Sequence, residues 1–273
     1  MYFVMCMETG YYILLGLFAL GITAGVLSGM FGIGGGIVMV PIMVAIFGME
    51  LLNANATSLA AMLLPVGIMG VISYYKAGYV RIREALWISL GLFAGSFVGA
   101  ELAISVDVGV LSKLYAGILV YVAVSYLFAR KNSSPTPSEG GESKSFLGVK
   151  KIIYLFGAFV LTGIAAGIFA GLFGKGGALV IIPVLIKIFK YSPKAAAATS
   201  LTALQLPVGL PSVFVYAHDG YLNLSYAAII ALGIVAGTFF GTKFALKIPN
   251  ENFKQIYAFF LLFVAVYMVW KYI

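Results

Sequence analysis

The sequence is poor in residues that hold metals or form disulfides. Its 273 residues include one cysteine, Cys6, and one histidine, His218. A single thiol cannot form an internal disulfide, and neither residue has the partners that a Cys/His zinc site requires. The sequence therefore indicates no metal site and no other cofactor.

Charged residues are also scarce. Only 10% of the residues are charged and 62% are hydrophobic, whereas about 25% of the residues of a soluble domain are charged. A chain of this size could not bury so much apolar surface in water. This composition excludes a soluble enzyme, a nucleic-acid-binding protein and a disordered chain. It predicts a protein whose surroundings are the lipid bilayer.

Carboxylates are missing from the interior of the apolar stretches, because Glu84, Glu101 and Glu251 all fall at predicted ends. This argues against a proton relay within the membrane. The sequence also has no aspartate pair or serine–histidine pair that would support hydrolysis there, so we expect no enzyme. The first ten residues lack a basic stretch, and we expect no cleaved signal peptide.

A repeat runs from residue 11 to the C-terminus at a constant offset of 142 residues, without gaps. Ala-Thr-Ser-Leu at Ala56 recurs at Ala198, and Leu-Pro-Val-Gly at Leu64 recurs at Leu206. A polar stretch rich in serine, proline and glycine separates the copies and is typical of a loop. We therefore predict a first repeat at 1–131, a linker at 132–150 and a second repeat at 151–273.

Each repeat contains five apolar segments. They cover 11–31, 36–49, 54–75, 85–104 and 111–129 in the first repeat, and 152–173, 178–190, 195–216, 225–246 and 254–271 in the second. About 20 residues of helix cross the hydrocarbon layer, so the short second segment of each repeat is expected to span poorly or to be re-entrant. The predicted fold is an all-α polytopic membrane protein with about ten transmembrane or re-entrant segments.

Basic residues predict the orientation, because cytoplasmic loops are enriched in lysine and arginine. They follow the third segment of the first repeat and the second and fourth segments of the second repeat, at Lys76, Arg81, Arg83, Lys187, Lys190, Lys194, Lys243, Lys247 and Lys254. The pattern predicts two inverted five-helix repeats in the plasma membrane, with the linker in the cytoplasm and both termini outside. Inverted repeats are typical of secondary transporters. The alternative is a duplication that only enlarged a helical bundle.

Glycines form two patterns in each repeat. Gly21, Gly25 and Gly29 recur every fourth residue, which predicts one helix face that another backbone approaches closely. A denser cluster follows and predicts a break, because each glycine costs a helix about 1 kcal/mol relative to alanine. A helix that begins after a break offers free N–H groups to an anion. The predicted anion site includes Gly34, Gly35, Gly36, Gly176 and Gly177; a tight turn at the membrane surface is the alternative.

Lys175 lies inside the second glycine cluster, where the first repeat has Ile33. A lysine within the membrane is costly unless it faces a polar cavity or a negative partner. An anionic substrate would supply that partner, so Lys175 is a predicted substrate ligand. A lysine that reaches the membrane surface from the tip of a turn is the alternative.

Hydroxyl and amide side chains gather at the start of each third segment. The predicted substrate-binding residues there are Asn55, Thr57, Ser58, Thr199, Ser200 and Gln205. Such groups hydrogen-bond an oxyanion without carrying charge, which suits a solute that must also leave. They also cap helices or bond their own backbone, which is the structural alternative. Pro65 and Pro207 are expected to kink these segments.

The paired motif Gly-x-x-x-Gly-x-Phe-Gly-x-Gly-Gly, followed by a proline six residues later, resembles the TauE/SafE sulfite-exporter family, as do the two Ala-Thr-Ser-Leu stretches. The resemblance covers nearly all of the chain outside the linker. It implies export of a small sulfur-containing anion such as sulfite, sulfoacetate or sulfolactate. A cysteine-based thiosulfate importer is disfavoured, since Cys6 is the only thiol.

The expected function is therefore that of a secondary transporter that exports a small anion by alternating access. Its expected partners are that anion and the lipid bilayer, with no nucleic acid, and the sequence leaves a homo-oligomer open. A passive anion channel and a membrane scaffold without transport activity are the alternatives.

Overall fold

The computed structural model describes residues 2–107, 109–111, 113, 114, 117, 149–174, 177–249, 256 and 259. Within them the secondary structure is helical, with no strand. The first repeat forms α1 (Tyr2–Phe31), α2 (Gly36–Ala45), α3 (Leu51–Ala61), α4 (Ile68–Lys76) and α5 (Ile82–Ser105). The second forms α6 (Val149–Phe173), α7 (Ala178–Lys187), α8 (Pro193–Leu204), α9 (Leu210–His218) and α10 (Leu224–Lys247).

The helix boundaries follow the repeat in the sequence. The pairs α2 and α7, α4 and α9, and α5 and α10 begin and end at positions 142 residues apart. α6 begins at Val149, within the predicted linker, whose residues 132–148 lie outside the described part. The fifth segments, predicted at 111–129 and 254–271, also lie almost entirely outside it. Those two predictions and the three-part division of the chain stay predictions.

Each third segment is two short helices, so the prediction of one kinked helix was wrong. α3 has 11 residues and α4 has nine. Pro65 lies between them, and Pro207 lies between α8 and α9. Proline lacks an N–H and disfavours helical backbone in the residue before it, which is enough to end a helix here. Neither half of the segment alone has the length of a membrane span.

Within the part of the chain that the structure describes, four helices are long and apolar enough to cross a membrane. These candidate spans are Tyr12–Phe31, Ile82–Ser105, Phe156–Phe173 and Leu224–Lys247. α2 and α7 are apolar but shorter, with ten residues each. The length and apolar composition of these helices agree with a protein that is embedded in a membrane.

The long helices pair across the repeats through their glycines. α1 packs along α10, and α5 packs along α6, in both cases in parallel. A Cβ atom added at Gly163 would lie 2.9 Å from the Cα of Gly91, and one added at Gly25 would lie 3.0 Å from the Cα of Gly237. The predicted role of these glycines in close packing is confirmed.

The helices α5 and α10 are repeat counterparts, and opposite ends of the two helices lie beside the same short stretch, residues 191–194. Burial, together with the nearby Glu84 carboxylate in the first turn of α5, raises the pKa of the Tyr191 phenol. Lys194 donates from its Nζ atom to the Leu246 carbonyl, in the last turn of α10, at 3.0 Å. The first turn of α5 and the last turn of α10 therefore lie at the same end of the molecule.

Lys194, one of the basic residues that predict the orientation, is largely buried. It lies in the first turn of α8 with only 6% of its surface exposed. Its Nζ atom also lies 5.7 Å from the centre of the Tyr79 ring, which belongs to the first repeat. The backbone carbonyl and the aromatic face explain how this charge is accommodated in a largely buried position.

Candidate functional site

The helices break at the glycine clusters, as the sequence predicts. Gly32, Gly34 and Gly35 have φ angles of 68°, 74° and 77°, which glycine adopts at low cost and other residues rarely do. In the second repeat Gly174 has a φ angle of 64°, and Gly177 directly precedes α7. Lys175 and Gly176 lie outside the described residues, so their predicted roles stay predictions.

Each break packs against the polar helix of the other repeat. The backbone of Gly32 lies against Ala197 on α8, and that of Gly174 lies against Asn55 on α3. A Cβ atom added at Gly174 would lie 2.7 Å from the Cβ atom of Asn55. Ala197 and Asn55 are repeat counterparts. The fold thus brings the two predicted parts of the site, the breaks and the polar segments, into contact.

Four polar atoms of these segments are buried without a hydrogen-bond partner in the described structure: Asn55 Oδ1, Thr57 Oγ1, Ser58 Oγ and Thr199 Oγ1. All four side chains have an exposed fraction of 0%. Asn55 is held by a 3.3 Å bond from its Nδ2 atom to the Leu172 carbonyl, which leaves its Oδ1 atom free to accept. Buried polar atoms nearly always have partners, so a group of four without one calls for an explanation.

Ser200 and Gln205, predicted in the same site, bond to the protein instead. The Ser200 hydroxyl donates to the Gly32 carbonyl at 3.0 Å. Gln205 accepts from the Gly67 N–H at 2.9 Å and donates to the Leu201 carbonyl at 3.2 Å. These bonds connect the two repeats, and substrate binding by Ser200 and Gln205 stays a prediction.

Gly34 lies where the C-terminal ends of α3 and α8 come together. A Cβ atom added there would lie 3.1 Å from Leu204 and also against Met62. The same two side chains line a small cavity with a free volume of about 20 Å³, which is room for about one water molecule. The cavity is bounded by Leu59, Met62, Leu92, Ser96, Ala170, Leu204, Val208 and Gly209.

Two helices begin at the breaks with uncapped N-termini. Gly35 precedes Gly36 and α2, Gly177 precedes α7, and neither helix has a side-chain cap. The first N–H groups of a helix lack acceptors within it and carry the positive end of its dipole. In the described residues no cluster of His, Cys, Asp and Glu could hold a metal ion. The uncapped helix starts can donate hydrogen bonds to a negative group.

Two buried tyrosines, which the sequence motifs did not identify, hold the breaks in place. Tyr74 is fully buried and donates to the carbonyls of Gly29 and Met30, both at 3.0 Å. Its repeat counterpart, Tyr216, donates to the Gly171 carbonyl at 2.8 Å. The hydroxyls fix the last turns of α1 and α6, where the breaks begin. Recurrence at the repeat offset was the signal that could have identified both.

Comparison with known proteins agrees with these features. A family model for the sulfite exporter TauE/SafE matches residues 17–268. The chain belongs to this family. The TauE/SafE family is one of membrane transporters and is not an enzyme class.

Several relatives match over nearly their whole length. The probable membrane transporter protein YunE of Bacillus subtilis is 26% identical over 86% of this chain and 88% of its own. A probable membrane transporter protein of Methanocaldococcus jannaschii is 28% identical over 86% of each chain. One from Haemophilus influenzae is 28% identical over 92% of this chain and 96% of its own. No solved structure matches this chain with significance.

Proposed function

We propose that this TauE/SafE protein exports a small anion, a sulfur-containing oxyanion or organosulfonate, across the plasma membrane by alternating access. The observation that carries the proposal is the group of four buried polar atoms without partners, at Asn55, Thr57, Ser58 and Thr199. They lie on the two helices against which the breaks pack. A bound anion would accept hydrogen bonds from the hydroxyls of Thr57, Ser58 and Thr199 and give them up on leaving, whereas Asn55 Oδ1 is an acceptor and would need a donor such as water.

The character of these groups favours an anion. Hydroxyls and the N–H groups at the start of α2 and α7 donate hydrogen bonds, and glycine at Gly35 and Gly177 allows a ligand to approach the backbone closely. The described interior offers no carboxylate that would repel a negative solute, since Glu101 is exposed. An inside-negative membrane potential would drive an exported anion by about 2.3 kcal/mol per charge per 100 mV.

Inversion of the repeats is part of the proposal. α5 and α10 are repeat counterparts, yet Glu84 at the start of one and Leu246 at the end of the other lie beside residues 191–194. Because opposite ends of these two counterpart helices lie at the same place, the helices run in opposite directions, which supports inversion of the repeats. The basic loops lie at the same end of the molecule as residues 191–194. This supports the assignment of that end to the cytoplasm and of both termini to the outside.

A counterflow experiment tests the transport mechanism. Purified protein in proteoliposomes preloaded with unlabelled sulfite is expected to take up labelled sulfite several-fold faster than proteoliposomes without preloading, because a carrier returns faster when loaded. The same measurement with ethanesulfonate covers the organic substrates. Flux that preloading does not change would favour a passive channel, and flux equal to that of empty liposomes would favour a scaffold; either result would contradict the proposal.

A further inference from the structure

Lys194 is the only charged side chain that is buried among the residues that the structure describes. Two neutral groups lie next to its ammonium: the Leu246 carbonyl, which accepts from Nζ at 3.0 Å, and the Tyr79 ring, whose centre is 5.7 Å away. Burial lowers the pKa of this ammonium, and no negative charge among the described residues offsets the effect. Buried charges in proteins are normally paired, so Lys194 calls for a negative partner.

The position of Lys194 at a helix start increases the need for a negative charge. Lys194 lies in the first turn of α8, where the helix dipole has its positive end and favours anions over cations. The Leu246 carbonyl belongs to the last turn of α10, whose negative end offsets part of the charge. This carbonyl takes one of the three N–H donors of the ammonium, so donors remain for a ligand.

Two sets of contacts connect Lys194 to the first break. Ala197 lies one helical turn beyond Lys194 on the same face of α8, and its backbone packs against Gly32. Tyr79 packs edge-on against Tyr74 with ring centres 6.5 Å apart, and the Tyr74 hydroxyl holds the last turn of α1. Lys194 therefore lies about one helical turn from the break, on the side that is assigned to the cytoplasm.

The opposite end of the molecule has the same framework without the charge. Tyr216 and Tyr221 repeat the tyrosine pair there, edge-on and with ring centres 6.4 Å apart. The repeat counterpart of Lys194 is Leu52, which is similarly buried, with 8% of its surface exposed. An apolar side chain thus fills this position in the first repeat. Packing alone does not require the lysine in the second.

We infer that Lys194 binds the transported anion at the cytoplasmic end, before the anion reaches the first break, and that the outer end has no equivalent residue. This inference rests on the proposed function. The Leu246 carbonyl holds the ammonium while no anion is bound, and the anion pairs with it when this end opens. A charged entrance inside and an apolar exit at Leu52 suit a protein that captures an anion from the cytoplasm and releases it outside.

Lys194→Met tests the assignment in a thermal-shift titration of purified protein with sulfite at constant ionic strength. The apparent affinity is expected to fall about tenfold, because a charge-assisted hydrogen bond to the anion is lost. The ligand-free melting temperature should stay unchanged or rise, because methionine fills the buried space without an unbalanced charge. In inside-out membrane vesicles the KM for sulfite uptake should rise by a similar factor.

Lys243→Met is the matched control. Lys243 is an exposed lysine near the end of α10, and its Nζ atom lies 4.1 Å from the centre of the Phe239 ring. Removing this charge should leave the affinity for sulfite unchanged. Equal losses of affinity in Lys243→Met and Lys194→Met would mean that the basic end attracts anions only diffusely, and would overturn the assignment.

Lys194→Gln separates anion binding from a structural role, since the amide can still donate to the Leu246 carbonyl but carries no charge. Weakened sulfite affinity in this variant supports the assignment, even if Lys194→Met melts at a lower temperature. Affinity equal to that of the unsubstituted protein in Lys194→Gln would show a structural lysine and would overturn the assignment, while transport by the unsubstituted protein would leave the proposed function intact. If the unsubstituted protein neither binds nor transports sulfite or ethanesulfonate, the proposed function fails as well.

Discussion

Gly163→Ala is expected to destabilise the folded protein strongly. The added Cβ atom would collide with the Ile88 carbonyl oxygen and lie 2.9 Å from the Cα atom of Gly91. Both neighbours are backbone, so the collision is relieved only if α5 and α6 separate along their whole contact. Membrane helices associate through such close packing. Overpacking of this kind costs about 3 kcal/mol, which lowers the melting temperature by about 10 °C.

Gly157→Ala is the matched control on the same helix. An added Cβ atom at Gly157 meets no atom within 4 Å, and alanine is the better helix former. Its melting temperature in detergent should equal or slightly exceed that of the unsubstituted protein. If the two variants melted at the same temperature, close contact between the repeats would not be what holds the long helices together.

Gly32→Ala is expected to abolish transport. The φ angle of 68° costs alanine about 1–2 kcal/mol, and the added Cβ atom would lie 2.7 Å from the Cα atom of Ala197. The first break would have to move away from α8 and would lose the Ser200 bond to the Gly32 carbonyl. Anion flux in proteoliposomes, normalised to the amount of folded protein, is the measurement.

Gly48→Ala separates backbone strain from close approach. Gly48 has a φ angle of 65°, nearly that of Gly32, but an added Cβ atom there meets nothing within 4 Å. This variant should carry the strain alone, about 1 kcal/mol, and keep its transport rate. Similar losses of flux in Gly32→Ala and Gly48→Ala would mean that the break needs no contact with α8.

Much of the fold could be predicted because membrane helices follow local rules. Apolar length predicted the four long helices, and the spacing of Gly21, Gly25 and Gly29 predicted a packing face. The sequence could not identify the partner of that face, since every long helix carries a similar stripe. The complete break at Pro65 was also missed, because a proline within an apolar stretch kinks some helices and ends others.

The polar segments of the site could be located from the sequence, but whether each polar side chain has a hydrogen-bond partner could not be predicted. Ser58 and Ser200 occupy equivalent positions in matching motifs, yet one hydroxyl has a partner and the other has none. That difference arises from packing between repeats, which no single segment encodes. The burial of Lys194 could not be predicted for the same reason, since the Leu246 carbonyl that accepts from it is distant in sequence.

Inversion of the repeats is tested most directly by labelling repeat counterparts from one side of the membrane. Lys76 and His218 are exposed, end α4 and α9, and lie 142 residues apart. In a background without thiols, made by Cys6→Ser, a membrane-impermeant thiol reagent added to intact cells is expected to label His218→Cys. Lys76→Cys should react only after the cells are permeabilised. Labelling of both positions from the outside, or of neither, would show that the two repeats have the same orientation.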